Sequence, residues 1–158
     1  MQEDYKLLLT LGTTEFSELV NAVIKFSCDS GISTIIQTPN ASQFVSASIN
    51  TNIKVFEYLD NIDCLYKKIP YIITHAGAGS CYRLLELNKK ILVVPNLSRI
   101  DKHQSDIGNW IKNNDYALYC DNLNNIDIDI NKLINGDLNF KKYKKYDFFK
   151  VKEILGLF

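Results

Sequence analysis

The sequence predicts a single α/β domain, a Rossmann-like doubly wound parallel sheet, on three observations. Short β-branched runs alternate with segments whose apolar residues recur at helical spacing, the pattern of strand–helix–strand units rather than of hairpins. Two strand-to-helix junctions carry glycine, at Gly12 and at Gly77 and Gly79, where such folds bring backbone up to a ligand. The third observation is size. The chain has 158 residues and 46% hydrophobic side chains. That is one domain, able to bury about 70% of its unfolded surface without staples.

Residues 6–11 are a short apolar run closed by Gly12, the first and buried strand. Phe16, Leu19, Val20 and Val23 then recur at helical spacing, giving an amphipathic helix over 15–28. A hydroxyl of Thr13 or Thr14 caps it, and Gly31 ends it. The second strand is 33–37. Residues 39–52 are small, polar and rich in Ser and Asn, the composition of a loop. A strand over 53–56 and a short helix over 60–68 follow. Pro70 opens the clearest strand, Tyr71-Ile72-Ile73-Thr74, which delivers His75 to its carboxyl end. The next helix runs over 80–87 with Cys81, Leu84 and Leu85 facing inward. Residues 91–94 are a strand closed by Pro95, and 103–113 a helix packing Ile107, Trp110 and Ile111. The last strand is 117–119. Residues 121–139 are rich in Asn and Asp, with a weak helix near 130–134. In the basic, aromatic tail from Lys141, Phe148, Val151, Ile154, Leu155 and Phe158 share one helical face.

Composition excludes several functions. The 18 basic and 18 acidic side chains cancel, which argues against a nucleic-acid binder. Arg83 and Arg99 are the only arginines, so arginine-rich phosphate recognition is not expected. Cys28, Cys64, Cys81 and Cys120 show no Cys-x-x-Cys spacing and no paired His, which excludes the common zinc patterns and reads as free thiols in a reducing compartment. Met1-Gln2-Glu3-Asp4 does not resemble a secretory signal, and no run approaches the roughly 20 apolar residues of a membrane span. Without a translocation signal, the sequons at Asn40 and Asn96 carry no meaning. The chain reads as soluble and cytosolic.

Two loops offer chemistry: Leu11-Gly12-Thr13-Thr14-Glu15-Phe16 and His75-Ala76-Gly77-Ala78-Gly79-Ser80. In each, glycine lets backbone approach a ligand and the helix start presents unpaired N–H groups to an anion. Ser80 adds a hydroxyl and His75 a donor. There is no Gly-Lys-Ser/Thr, so neither is a P-loop, and Tyr82 stands where a dinucleotide fingerprint needs its third glycine. Either loop alone is equally well a tight turn; two in one parallel sheet favour a phosphate site. Asp101-Lys102-His103-Gln104 lies at another strand's carboxyl end, as a ligand contact or as a solvated helix start with Asp101 as cap. Asp127-Ile128-Asp129 reads as a surface helix start rather than a metal site. Lys141-Lys142-x-Lys144-Lys145 reads as a solvated tail, with anionic lipid the second option.

Together, Gly12-Thr13-Thr14-x-Phe16-x-x-Leu19, His75-Ala76-Gly77-Ala78-Gly79-Ser80 and Asp101-x-His103-Gln104 form an ordered set. It resembles the family of the small catalytic subunit of the eukaryotic UDP-GlcNAc transferase of dolichol-linked oligosaccharide synthesis. The resemblance covers residues 7–119. It implies the donor-binding half of a GT-B glycosyltransferase, a UDP-sugar-binding domain over 1–140 and a partner-docking helix over 141–158. It places Gly77, Ala78, Gly79 and Ser80 on the UDP pyrophosphate with His75 beside them, and Gly12, Thr13 and Thr14 facing the same phosphates. Asp101, His103 and Gln104 would lie near the GlcNAc hydroxyls, and the uracil near backbone after Phe56, around Tyr58. Arg83 stands where the family has an acidic ribose ligand, and a guanidinium cannot accept those bonds; Glu86 is one substitute, and an Arg83–phosphate contact the other option. Lys102 replaces an Asn, and Lys90 a proline.

The implied reaction is an inverting transfer from UDP-GlcNAc to lipid-linked GlcNAc diphosphate, with no metal and no cofactor. The chain offers no general base, so the resemblance implies a membrane-anchored, acceptor-binding partner at the cytosolic face of the endoplasmic reticulum. Two alternatives stand beside it: a non-catalytic UDP-sugar-binding regulatory module, and a soluble transferase using another nucleotide sugar.

Overall fold

A computed structural model of the chain describes residues 4–49, 52–98 and 103–145. Asp101, Lys102 and the expected helix from Phe148 to Phe158 lie outside the described residues. Six parallel strands form one sheet: β1 (Leu7–Thr10), β2 (Thr34–Gln37), β3 (Ile53–Phe56), β4 (Tyr71–Thr74), β5 (Lys90–Val93) and β6 (Leu118–Tyr119). Their order is β3-β2-β1-β4-β5-β6, the doubly wound arrangement expected from the sequence. The helices are α1 (Ser17–Ser30), α2 (Ile62–Lys68), α3 (Ala78–Glu86), α4 (His103–Asn113) and α5 (Ile126–Asn135).

The sheet is covered on both faces, and side chains alternate along each strand between the two layers. Leu7, Leu9, Ile36, Ile73 and Leu92 pack with Leu19, Val20 and Val23 of α1 and with Ile126, Ile130 and Leu133 of α5. Leu8, Ile35, Ile72 and Ile91 pack on the other side with Leu84 and Leu85 of α3, Ile111 of α4 and Tyr66 of α2. Each such side chain taken from water stabilises the fold by about 1.5–3 kcal/mol before chain entropy is counted.

Four expectations change. The helix after β1 begins at Ser17, with Phe16 at its cap position and no side-chain cap bond, so neither Thr13 nor Thr14 caps it. Instead the Thr14 amide donates to Leu11 O at 2.9 Å in a turn, and buried Phe16 draws the chain into the core before the helix starts. The stretch expected as loop contains a 3₁₀ helix over Ala41–Ser48, because Ala41 and Phe44 find burial against the sheet. α3 begins two residues before the expected 80, at Ala78. The weak helix near 130–134 is a ten-residue one, because Ile126, Ile130 and Leu133 form a helical stripe stronger than the Asn/Asp composition around it.

The start of the tail belongs to the domain's packing. Lys141 N–H donates to Asp115 O at 2.9 Å. Two residues on, the Tyr143 ring lies 6.0 Å from Tyr82, 6.0 Å from Trp110 and 5.6 Å from Tyr116 between centroids, an edge-to-face cluster joining α3, α4 and tail. Tyr143→Ala is expected to destabilise the domain by about 3 kcal/mol, the low end for emptying a buried aromatic site. At this chain length that is a fall of roughly 6–12 °C in a thermal melt. A midpoint within a degree of the parent would mean that the ring carries no packing.

Candidate functional site

The order of strands reverses at β1, which pairs with β2 on one side and β4 on the other, so the connections leaving β1 and β4 diverge to opposite faces. The crevice between them is where such sheets bind ligands. Both glycine-bearing loops lie there. They are held in place by buried polar side chains that sequence reading did not select.

The first is Gln37, 5% exposed at the end of β2. Its Oε1 accepts from Gly12 N–H at 2.7 Å, Leu11 N–H at 3.1 Å and the Thr10 hydroxyl at 3.3 Å. Its Nε2 donates to Gly12 O and Glu57 O, both at 2.9 Å. One carboxamide thus fixes the turn after β1, in which Gly12 takes a φ of +56°, and ties it to the loop after β3. The second is Tyr66 of α2, whose phenol is hydrogen-bonded to Thr10 and Ser80. Burial outweighs those bonds and holds its pKa above the usual phenol value, so it stays neutral while it links the end of β1 to the start of α3.

His75 is 7% exposed, and its ring occupies the space beside Gly77. A Cβ on Gly77 would lie 2.7 Å from His75 Cε1, an overlap, and one on Gly12 would lie 4.0 Å from the same atom. The imidazole therefore fills the space between the two loops, and Gly77 is required by that ring as well as by any ligand.

α3 starts immediately afterward. Its cap residue is Gly77, with no side-chain cap bond, and no acidic residue sits in its first turn. The opening amides of Ala78, Gly79 and Ser80 thus keep the helix's positive end uncompensated. Gly12, Thr13, Gln37 and Ser80 open onto a cavity of about 450 Å³, closed across from them by Tyr58, Leu59 and Ile62. Its scale suits a nucleotide-sized ligand, with an apolar wall facing hydrogen-bond donors. Thr13 lines this cavity, whereas Thr14 is buried.

Arg83, one turn beyond Ser80, is engaged elsewhere. Its Nε and Nη2 donate to the two Asp63 oxygens at 3.1 and 2.7 Å, and Glu86 lies 3.8 Å away. That guanidinium holds the Asp63 carboxyl below its ordinary range. Glu86 also pairs with Lys145 at 3.2 Å. Neither of the two substitutes for an acidic ribose ligand is therefore free of a partner. Beside Ser80, burial pushes the Cys81 thiol up to about 12, so it is no nucleophile at neutral pH.

On the β5 side the expected residues separate. His103 is exposed at the start of α4, while Gln104 is buried and its Oε1 accepts from Asn96 N–H at 2.9 Å. Asn96 in turn donates to Glu15 O at 3.3 Å and accepts from Ser98. Gln104 thereby steadies the loop after β5 against the approach to α1, and Asn96 is a third polar brace that sequence reading missed. Buried Asn40 and Asn96 are inaccessible to glycosylation. Asp127 and Asp129 occupy the first turn of α5, with Asp129 3.5 Å from Lys132. Among the described residues, no group of three or more His, Cys, Asp or Glu side chains could hold a metal ion, and no helix is long and apolar enough to cross a membrane.

Gln37→Ala removes the side-chain partner of Gly12 N–H and Gly12 O, while Leu11 N–H keeps the residue-37 backbone carbonyl at 3.2 Å. It is expected to cost about 1–2 kcal/mol in urea unfolding, the loss of hydrogen bonds at part-buried groups. Amide exchange at Gly12 should accelerate with it; exchange unchanged from the parent would remove the clamp from the account.

Comparison with known proteins follows the same lines. The glycosyltransferase family 28 C-terminal domain matches residues 6–155. A protein of Candida albicans named UDP-N-acetylglucosamine transferase subunit ALG13 is 32% identical over 114 residues, 62% of this chain and 39% of that protein. The Mus musculus protein of the same name is 28% identical over 123 residues, 73% of this chain and 10% of that one. The chain therefore spans well under half the length of these relatives. Among solved structures, MurG of Acinetobacter baumannii superposes with a TM-score of 0.69 at 15% identity, over 87% of this chain and 43% of MurG, which speaks for the fold. With the match running through all six strands and both glycine loops, the chain belongs to the glycosyltransferase family 28 C-terminal domain family.

Proposed function

We propose that this chain is the donor-binding, catalytic subunit of a split, inverting glycosyltransferase that transfers GlcNAc from UDP-GlcNAc to GlcNAc-diphosphodolichol. The observation that carries the reading is the uncapped start of α3 beside the Gly12 turn, opening on one cavity with an apolar wall at Tyr58 and Leu59. The diphosphate lies on the amides of Ala78, Gly79 and Ser80 and faces the Gly12–Thr13 turn. The uracil lies against the loop at Tyr58. His75 supports both loops from beneath, and Asp101, His103 and Gln104 serve the sugar side, with Gln104 acting through the Asn96 loop.

In the reaction the acceptor's 4-hydroxyl oxygen attacks the anomeric carbon as the bond from that carbon to the diphosphate oxygen breaks. The hydroxyl proton passes to a base on the partner, and the electron pair leaves with UDP. Fixed N–H dipoles at the α3 terminus stabilise the charge that develops there. The acceptor and the base come from a membrane-anchored partner subunit at the cytosolic face of the endoplasmic reticulum, docked by the tail that follows Tyr143. A second reading, a UDP-sugar-binding regulatory module without catalysis, is favoured by the engagement of Arg83 with Asp63 where an acidic ribose ligand is expected.

Gly77→Ala forces the His75 ring out of its place and is expected to weaken UDP binding at least tenfold in calorimetry. An affinity equal to the parent's would refute the diphosphate placement. GlcNAc transfer to the lipid-linked acceptor is expected only from the chain co-purified with its partner. Donor binding without transfer in a verified complex would select the regulatory reading, and transfer by the isolated chain would end the split-site reading.

A further inference from the structure

The amino-terminal edge of the sheet, opposite the glycine loops, carries a second cavity of about 410 Å³. Lys90, the first residue of β5, and Lys89 before it form one side; Lys141 and Lys142 of the tail form the other. Among the described residues, no acidic side chain lines it. Of the carboxylates close in sequence to it, Asp115, outside the lining, pairs with Lys141 at 3.3 Å, and Glu86 pairs with Lys145 at 3.2 Å and Arg83 at 3.8 Å. Among the described residues, Lys89, Lys90 and Lys142 have no carboxylate within 4.0 Å.

An ordinary explanation for lysines here is that they cap the carboxyl ends of α3 and α4, which both point to this edge. The backbone already does that work. Leu87, Asn88 and Lys89 amides donate to Arg83, Leu85 and Leu84 carbonyls at 3.2, 3.0 and 3.1 Å. Asn114, Asp115 and Tyr116 amides likewise serve Trp110, Lys112 and Ile111 at 3.2, 3.1 and 3.1 Å. Lys89, Lys90 and Lys142 are therefore not needed to cap these helices, and with Lys141, which pairs with Asp115, they line one space. Partial burial holds the Lys89 ammonium below its usual pKa. An anion in the cavity would offset it.

We propose that this cavity is a binding site for a phosphate-bearing anion, held by Lys89, Lys90, Lys141 and Lys142. The amides of Asn88 and Asn139 line the same space, and Tyr116, Phe140 and Tyr143 give it an aromatic wall for the carbon portion of a phosphomonoester. Tyr143 is fixed by its ring cluster, so the tail lysines are presented from a firm base rather than from a loose strand. The ligand is either a free phosphorylated small molecule or the headgroup of an anionic phospholipid, and the site is independent of the donor reading.

The full chain is titrated with inorganic phosphate and with glycerol 3-phosphate, followed by lysine side-chain NMR. It is also sedimented with phosphatidylcholine vesicles with and without phosphatidic acid. Saturable binding is expected in at least one arm, weakened at least tenfold in the Lys89→Gln/Lys142→Gln double variant and unchanged by Lys25→Gln on α1. Saturation by a soluble phosphate assigns the free ligand; binding only to phosphatidic acid vesicles assigns the headgroup. Absence of binding in every arm overturns the proposal, as does equal weakening by Lys25→Gln. Binding that survives the lysine changes but is lost in Gly77→Ala belongs to the glycine loops and overturns it too. UDP affinity in the lysine variant is expected to stay within twofold of the parent, which separates this site's failure from that of the donor site.

Discussion

Everything in this domain is arranged around β1. Leu7, Leu8 and Leu9 are fully buried, and the strand is hydrogen-bonded on both edges, to β2 and to β4. A strand so placed keeps its first three residues for the core and offers a polar side chain only at its last, Thr10. It sets where chemistry can occur, because the crossovers on its two sides go to opposite faces and leave a crevice at its carboxyl end. Register brings that crevice to a defined depth: Thr10 stands opposite Thr74, and the Thr74 hydroxyl donates to Thr10 O at 3.1 Å. The chain then leaves the sheet at the same level on both strands, Gly12 two residues beyond Thr10 and His75 one beyond Thr74.

Two loops without regular hydrogen bonds would not hold a ligand-sized space open by themselves. Gln37, Tyr66 and Asn96 supply what the ladder no longer does. Gln37 reaches from β2 to the β1 loop and to Glu57, Tyr66 from α2 to Thr10 and Ser80, and Asn96 from the loop after β5 to Glu15. Each is a buried polar side chain with at least one bond to another element, and Asn96 also accepts from Ser98 within its own loop. Such groups are costly to bury unsatisfied, so a satisfied set fixes one geometry and penalises its neighbours. The result is a crevice whose donors are in position before anything binds, the property that electrostatic stabilisation of a leaving group requires.

This division explains what the sequence disclosed. Strands 6–11, 71–74 and 91–94 were legible because parallel strands buried on both faces are largely apolar runs, and 33–37 and the edge strand 53–56 were legible from their β-branched residues. The positions of Gly12, Gly77 and Ser80 at the carboxyl ends of β1 and β4 were legible because glycine between a strand and a helix marks the junction. Gln37 was not, since a lone amide ending an apolar strand is as often a solvated edge as a clamp; its meaning depends on Gly12 and Glu57, 25 and 20 residues away. Tyr66 hid in a helical pattern that reads as simple core. The role of Gly77 was half legible: the need for glycine was plain, but not that the His75 imidazole is what excludes a side chain. The Thr13/Thr14 cap failed because local propensity yielded to the burial of Phe16.

The chain's charges cancel in sum but not in place. Among the described residues, the cavity at the carboxyl edge is lined by polar and apolar side chains with one acidic residue, Glu57, and no lysine or arginine. Arg83 stands near it and is withheld by Asp63. The lysines gather at the other edge. On the donor-subunit reading this separation has a kinetic logic. A mobile ammonium in the crevice would bind the diphosphate of the intact donor about as well as the charge that builds on it during transfer. Such uniform binding lowers the ground state together with the transition state. Helix amides fixed by the fold favour the charge that develops at one oxygen and need no reorganisation to do so. They also bind the departing diphosphate less tightly than a lysine would, which favours release. On that reading, a crevice whose described lining holds no cation is not an incomplete phosphate site, and the Arg83–Asp63 pair keeps one guanidinium engaged outside it.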